Sequence, residues 1–325
     1  MLYPLTFHPL CKERVWGGRS LERLYHKALP ADLVIGESWE ITDRPEGVSE
    51  IAQGPLAGKT LRWVMEHHER DLLGEARPTP EGRFPLLIKI LDAREKLSLQ
   101  VHPPAALAAS LGGEPKTEMW YVTEADPGAE LFVGLKPGIT RGQFEDALRS
   151  GTAAECVHRV PVQADDVMFL PSGRLHAIGA GLVIFEIQQN SDTTYRVFDW
   201  NRKGLDGRPR ELHLEQSLAS IDFNDFEPAL VDARWDTRAT LASRPLVQHA
   251  LFLVDEMHAR EPAALSLASG RCRVVAVVNG RVTLRGGGQT VDLAAGAFAV
   301  VPAALADASM TADAGTRALL VTAGK

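Results

Sequence analysis

Residues 97–103, with the sequence LSLQVHP, alternate strictly between apolar and polar side chains. Successive side chains of a β-strand point to opposite faces, so the alternation predicts a strand whose apolar residues lie in the core. Ser98, Gln100 and His102 then share the other face. Polar groups on an inward face cost free energy unless they bind something, and imidazole and amide groups can both bind a divalent metal. The segment therefore predicts a strand that lines a cleft or a metal site.

Two later segments carry residues with matching chemistry. Residues 116–121 (KTEMWY) place Lys116 and Glu118 on one strand face, where Glu118 offers an anionic oxygen and Lys116 suits an anionic substrate. His176 lies where a turn enters a strand, in PSGRLHAIG. Each residue alone is more often a hydrogen-bonding or surface residue than a metal ligand. Together with Gln100 and His102 they form a candidate site for Zn²⁺, which accepts mixed nitrogen and oxygen ligands.

The rest of the chain predicts a mainly β protein with short helices. The predicted helices are 60–73, 104–111, 140–149 and 210–220. The predicted strands are 84–91, 97–101, 119–122, 131–133, 167–170, 182–188, 195–198, 250–254, 264–267, 274–278, 282–284, 297–300 and 318–321. Many short strands with glycine turns are typical of barrels and sandwiches. We predict two cupin-like β-barrel or jelly-roll domains, a catalytic one over 1–226 and a smaller one over 227–325.

Composition excludes several functions. The net charge is −7, which provides no global positive field for nucleic acid or an anionic membrane. An anionic ligand must then be bound by a local cluster of positive charge. Cys11, Cys156 and Cys272 lie far apart without CxxC spacing, which fits a reducing cytoplasm. The N-terminus has no apolar segment of the kind found in signal peptides, and no apolar run reaches the length of a membrane span.

Longer motifs extend over roughly residues 1–225. They are Trp16-Gly17-Gly18, Gly36-Glu37-Ser38-Trp39-Glu40, Phe84-Pro85-Leu86-Leu87-Ile88-Lys89, 97–103, Lys116-Thr117-Glu118, Trp120-Tyr121, Pro171-Ser172-Gly173, His176-Ala177-Ile178-Gly179, and 186–196 (EIQQNSDTTYR) through Asp199. In these motifs the chain resembles the type I mannose-6-phosphate isomerases, also called phosphomannose isomerases, in their short bacterial form.

The resemblance implies a cupin-type fold and the reversible conversion of mannose 6-phosphate, a small sugar phosphate, to fructose 6-phosphate. It implies one Zn²⁺ per chain. The implied zinc ligands are Gln100, His102, Glu118 and His176, the implied active-site arginine is Arg196, and the implied substrate-binding residues are Lys89, Ser98 and Lys116. The chain departs from the family at Pro104, after the His-Pro pair, and at Arg174, and it lacks the large helical insertion of longer members. These departures leave the preference among sugars open.

The implied reaction moves a proton between C1 and C2 through an enediol(ate), which needs oxyanion stabilisation and a proton carrier. Glu186 and Asp192 are candidate proton carriers, beside a zinc-bound water or Lys116 if burial lowers its pKa. Glu186 can instead belong to a buried polar network, and Arg196 can be a structural ion-pair partner of Asp192 or Asp199. Two other functions stay open: isomerisation of another phosphorylated or free aldose, and a non-catalytic, metal-containing, sugar-binding cupin.

Overall fold

The computed structural model describes residues 1–267 and 270–324. The strands of the first part are β1 (Leu10–Gly18), β2 (Ile35–Ile41), β3 (Asp43–Arg44), β4 (Gly47–Val48), β5 (Leu86–Ala93), β6 (Leu99–Val101), β7 (Glu118–Ala125), β8 (Glu130–Leu135), β9 (Val157–Pro161), β10 (Val167–Leu170), β11 (His176–Ile178), β12 (Leu182–Gln189) and β13 (Tyr195–Phe198). Those of the second part are β14 (Leu241–Gln248), β15 (Phe252–Ala259), β16 (Ala263–Ser266), β17 (Arg273–Asn279), β18 (Arg281–Gly286), β19 (Gln289–Ala294), β20 (Phe298–Val301), β21 (Ser309–Ala312) and β22 (Arg317–Ala323). The helices are α1 (Ser20–Tyr25), α2 (Leu61–Leu73), α3 (Ala105–Ala108), α4 (Arg141–Ser150) and α5 (Leu214–Ser220), with 3₁₀ turns at Ala109–Leu111 and Ala153–Cys156.

The helix boundaries follow local capping chemistry. The Thr60 hydroxyl accepts the Trp63 N–H at 3.1 Å and begins α2. Thr140 forms a capping box with Gln143 at the start of α4. The predictions of these two helices are confirmed. The helix predicted over 210–220 is too long, because α5 begins only at Leu214 and the preceding residues run along β13 instead.

Two antiparallel sheets form the first part of the chain. One has the order β1-β2-β5-β12-β7-β10 and the other the order β13-β6-β11-β8-β9. Apolar side chains from both sheets, such as Trp120 and Ile184 from the first and Leu131 and Val133 from the second, pack into one buried cluster. The described strands do not close into a barrel, but the two sheets are consistent with a cupin-like jelly roll, and the mainly β fold class is confirmed.

The second part has the same arrangement of two facing sheets, and its core consists mainly of aliphatic side chains. Its sheets have the orders β14-β15-β22-β17-β20 and β16-β21-β18-β19, and Val, Leu and Ala side chains fill the space between them. β18 and β19 are joined by Gly287 and Gly288, with φ of +58° and +72°. Left-handed conformation at both central positions is what a two-residue hairpin turn needs, so glycine is favoured there. This hairpin is one of the glycine turns expected between the short strands.

The two parts of the chain share buried contacts. Phe185 of β12 packs against Phe298 of β20 with ring centroids 5.0 Å apart, and Leu5 forms a bridge to Val300. Residues of both parts belong to one continuous apolar core. The division of the chain near residue 226 stays a prediction. In the described part of the chain, every helix is too short or too polar to cross a bilayer.

Candidate metal centre and its cationic cleft

The sheet register brings three predicted metal ligands together. His176 of β11 lies directly opposite Gln100 of β6, and Glu118 begins β7. The Nε2 atoms of His102 and His176 lie 3.6 and 3.4 Å from Oε1 of Glu118. One ligand atom from each of these three buried residues lies within 4.8 Å of the others. This spacing suits a single cation bound between them.

Hydrogen bonds orient both imidazole rings. Nδ1 of His102 lies 2.8 Å from the Thr193 carbonyl, and Nδ1 of His176 lies 2.9 Å from the Arg174 carbonyl. Because a carbonyl only accepts, we assign the proton to Nδ1 in each ring, which leaves the Nε2 lone pair for a metal.

The cluster also contains buried atoms that lack partners. Within the described residues, Nε2 of His102 and Oε1 of Glu118 make no hydrogen bond. Burial lowers the pKa of His102 well below its usual value, helped by the charge of Lys116. Burial and His102 lower the pKa of His176 to about 3. Neutral imidazoles and an unpaired carboxylate oxygen fit a divalent metal well, because these are the ligand forms that it binds.

Gln100, the fourth predicted ligand, lies on the open side of the cluster. Its amide Nε2 lies 3.3 Å from Nε2 of His176, and its side chain also lines the cleft described below. An amide nitrogen and oxygen exchange places by a half turn about the last side-chain torsion, so the oxygen can face the same point. The structure thus brings all four residues together, while their role as ligands stays a prediction.

A buried network of amines and carboxylates adjoins the cluster. Nζ of Lys116 lies 2.6 Å from Glu118 and 3.4 Å from Glu186, and Nζ of Lys89 lies 3.6 Å from Glu186 and 3.4 Å from Asp192. Lys89 and Glu186 face each other across β5 and β12. Burial by itself lowers the pKa of each amine, but the carboxylates outweigh it and raise both. Lys116 is therefore charged, so it does not provide the neutral amine that a proton-accepting base needs. Burial raises the pKa of Glu186, although Lys116 opposes the shift.

These groups open onto a cleft of about 390 Å³. It contains predicted site residues together with several that the sequence did not single out. Its lining residues are Arg14, Trp16, Glu37, Lys89, Leu91, Leu97, Ser98, Gln100, Lys116, Glu186, Asp192, Thr194, Arg196 and Arg210. Arg14, Glu37 and Arg210 were missed as site residues. Only weak signals pointed to them: Arg14 precedes Trp16-Gly17-Gly18, and Glu37 lies in a motif without an assigned role.

Arg196 lies opposite Gln100 in the register between β13 and β6. Its Nη1 donates to the Glu211 carbonyl at 2.8 Å, and within the described residues its buried Nε has no hydrogen-bond partner. The carboxylates considered as its structural partners are engaged elsewhere. Asp192 contacts Lys89, and Asp199 binds Arg202 and Arg210. Arg196 therefore lines the cleft with a guanidinium that neither of these two carboxylates binds.

Known proteins share both the sequence pattern and the fold. The family model described as phosphomannose isomerase type I, catalytic domain, matches residues 5–140. The mannose-6-phosphate isomerase of Streptococcus mutans is 38% identical over 255 residues, covering 78% of either chain. The putative mannose-6-phosphate isomerase YvyI of Bacillus subtilis is 31% identical over 322 residues, covering 98% of either chain.

Solved structures of proteins with similar names have the same fold as this chain. The crystal structure of the mannose 6-phosphate isomerase from Bacillus subtilis has a TM-score of 0.89 at 30% identity, covering 98% of this chain and 99% of that chain. A putative mannosephosphate isomerase from Archaeoglobus fulgidus, 20% identical with a TM-score of 0.76, has the same fold. The resemblance inferred from the motifs is confirmed, and the chain belongs to the type I phosphomannose isomerase family as an enzyme of that type.

Proposed function

We propose that this chain interconverts mannose 6-phosphate and fructose 6-phosphate with one Zn²⁺ bound by Gln100, His102, Glu118 and His176. The observation that carries the proposal is the position of the buried cluster of unpartnered ligand atoms beside a cleft lined by cations. Two imidazoles, a carboxylate and an amide form a mixed set that zinc accepts. When bound, zinc supplies a Lewis acid that polarises substrate oxygens.

The cleft suits a small phosphorylated sugar. Its volume of about 390 Å³ falls within the usual range for small-molecule sites. Lys89 and Lys116 are charged and buried, and Ser98, immediately before the strand that carries Gln100, adds a hydroxyl. Ammonium and hydroxyl groups donate to sugar and phosphate oxygens, so we assign substrate binding to these three residues.

We assign proton transfer between C1 and C2, through an enediol(ate), to the carboxylates of this cleft. Glu186 is buried between two amines and has a raised pKa, which favours a group that both takes and returns a proton. Asp192 contacts Lys89 from a more open position, with about a third of its side chain exposed. Arg196 lines the cleft next to Gln100 and offers its guanidinium to the negative charge that develops on the substrate.

We place this reaction in the cytoplasm, which is supported by three cysteines present as free thiols. The substrate is tested by a coupled assay in which fructose 6-phosphate formation is followed from mannose 6-phosphate and, separately, fructose formation from free mannose. Turnover of the phosphorylated sugar with little or none of the free sugar is expected. Turnover of free mannose alone would assign a different substrate, and metal binding without turnover of either sugar would support a non-catalytic sugar-binding protein.

A further inference from the structure

Positive charge in the cleft is balanced very differently at its two ends. At the end next to the metal cluster, Lys89 lies within 3.7 Å of three carboxylates, those of Glu37, Glu186 and Asp192. Lys116 contacts Glu118 and Glu186, and Arg14 binds Glu37 at 2.8 Å. Four carboxylates thus face three cations at this end. The side chains at this end have no surplus of positive charge for a phosphate, and the charge of a bound metal would be left for the oxygens of the reacting carbons.

The opposite end has an excess of positive charge. Arg196, Arg202 and Arg210 gather around the single buried carboxylate of Asp199, which lies 2.8 Å from Arg202 and 2.7 Å from Nε of Arg210. Glu95, 4.0 Å from Arg202, and Glu211 reach this end only from exposed positions. Burial, together with the charges of Arg210 and Arg202, lowers the pKa of Arg196. Arg196 and Arg210 of this group line the cleft, and guanidinium groups held this close to one another favour the binding of an anion.

Arg210 is held so that one edge of its guanidinium group stays open. Its Nε and Nη2 bind the two oxygens of Asp199 at 2.7 and 2.5 Å. Its Nη1 is left without a protein acceptor in the described part of the chain, and the side chain lines the cleft. Arg196, also in the cleft, has its buried Nε unpartnered. Arg210 therefore has one free N–H edge and lines the cleft beside Arg196, and charged N–H groups of this kind bind phosphate oxygens.

We propose that Arg210 binds the phosphate group of the substrate and makes the enzyme specific for phosphorylated over free sugar. The proposal rests on the proposed function and deepens it. Arg196 pairs with Gln100 on one side and donates to the Glu211 carbonyl on the other, so Arg210 lies beyond β13 from the metal cluster. In an aldohexose 6-phosphate, C1 and C2 lie at one end of the molecule and the phosphate at the other. The charge asymmetry of the cleft matches this polarity.

The test compares Arg210→Gln with Arg208→Gln, a control that removes an exposed arginine two residues away. The metal-loaded enzyme is assayed with mannose 6-phosphate. Losing a charge-assisted hydrogen bond to the phosphate is expected to raise KM by about ten- to a hundredfold. A group that binds a non-reacting part of the substrate leaves kcat nearly unchanged. Arg210→Lys keeps the charge without the fork and is expected to give a smaller rise. Arg208→Gln is expected to behave like the wild type.

Binding is measured separately by calorimetry with two non-isomerisable probes, the alditol phosphate made by reducing mannose 6-phosphate and free mannitol. Arg210→Gln is expected to weaken binding of the phosphorylated probe by the same factor by which it raises KM. The affinity for free mannitol is expected to stay unchanged. Equal KM for the wild type, Arg210→Gln and Arg210→Lys would overturn the proposal, as would an equal loss for both probes. If the wild type fails to isomerise mannose 6-phosphate, the proposed function is wrong, while the difference between the two probes still tests the phosphate site.

Discussion

Glu256 connects the second part of the chain to the strand that carries Glu118. Its carboxylate is fully buried on β15 and accepts from the Tyr121 hydroxyl at 2.8 Å, from Nε of Arg244 at 2.7 Å and from Nε of Arg317 at 2.8 Å. Tyr121 lies on β7, three residues after Glu118. We therefore expect Glu256→Gln to destabilise the fold by loosening the attachment of β7 while leaving the atoms of the metal cluster in place.

The expected magnitude follows from burial and charge. Removing one partner of a buried ion pair costs about 3–5 kcal/mol, because the remaining charge is left uncompensated. The Arg244 and Arg317 side chains are 15% and 20% exposed, so water recovers part of this loss. Glutamine also keeps one acceptor oxygen. We expect a loss of about 3 kcal/mol for Glu256→Gln. Tyr121→Phe, which removes one hydroxyl, is expected to cost only about 1 kcal/mol.

The assay is equilibrium unfolding in urea followed by tryptophan fluorescence, with kcat measured on the same samples without urea. Asp236→Asn is the matched control, since it neutralises one carboxylate of an exposed ion pair with Arg238 and is expected to leave the midpoint unchanged. The reasoning is refuted if Glu256→Gln unfolds at the wild-type midpoint, or if its loss does not exceed that of Tyr121→Phe.

Two further predictions follow from individual pKa shifts. Burial alone raises the pKa of Glu37, but Lys89 and Arg14 outweigh it and lower this pKa to about 2. The folded-state pKa lies below the usual 4.5, so Glu37 stabilises the fold above that pH and the contribution is lost as pH falls towards 2. Glu37→Gln is expected to flatten the fall of Tm across this window, and an unchanged pH profile would contradict the assignment. Burial raises the pKa of the Cys272 thiol to about 12, so near pH 8 it is expected to resist iodoacetamide in the native chain and to react in urea. Mass spectrometry of the alkylated peptide checks this, and rapid labelling of native protein would show that the thiol is accessible.

Local signals in the sequence were sufficient for much of the secondary structure. Thr60 and Thr140 begin helices because their hydroxyls cap N–H groups only three residues away. The alternation over 97–103 located Ser98, Gln100 and His102, since the strand period of two residues is itself a local property. Strand β1 was not predicted because its sequence, LCKERVWGG, combines charged residues with an irregular register against β2.

The missing parts of the site depend on contacts between residues far apart in the chain. Arg210 points into the cleft because Asp199 holds it and because α5 begins only at Leu214, and no periodicity within 210–220 encodes either fact. Arg14 becomes a cleft residue through Glu37 of the neighbouring strand. The sequence showed an excess of cations in these motifs. It could not show that neighbouring carboxylates balance the charges of Lys89 and Lys116. Nor could it show that the carboxylates of Asp192 and Asp199 bind other cations than Arg196.

The central claim is that a metal bound by His102, Glu118 and His176 is required for the isomerisation. The direct measurement is turnover of mannose 6-phosphate by chelated, desalted protein as zinc is added back, with bound zinc determined on the same samples. His176→Ala is compared with His158→Ala, which alters a histidine paired with Glu227 outside the cluster. We expect no turnover without metal, full recovery at one zinc per chain, and no recovery for His176→Ala. Full turnover by the metal-free chain, or recovery of His176→Ala to the level of His158→Ala, would contradict it.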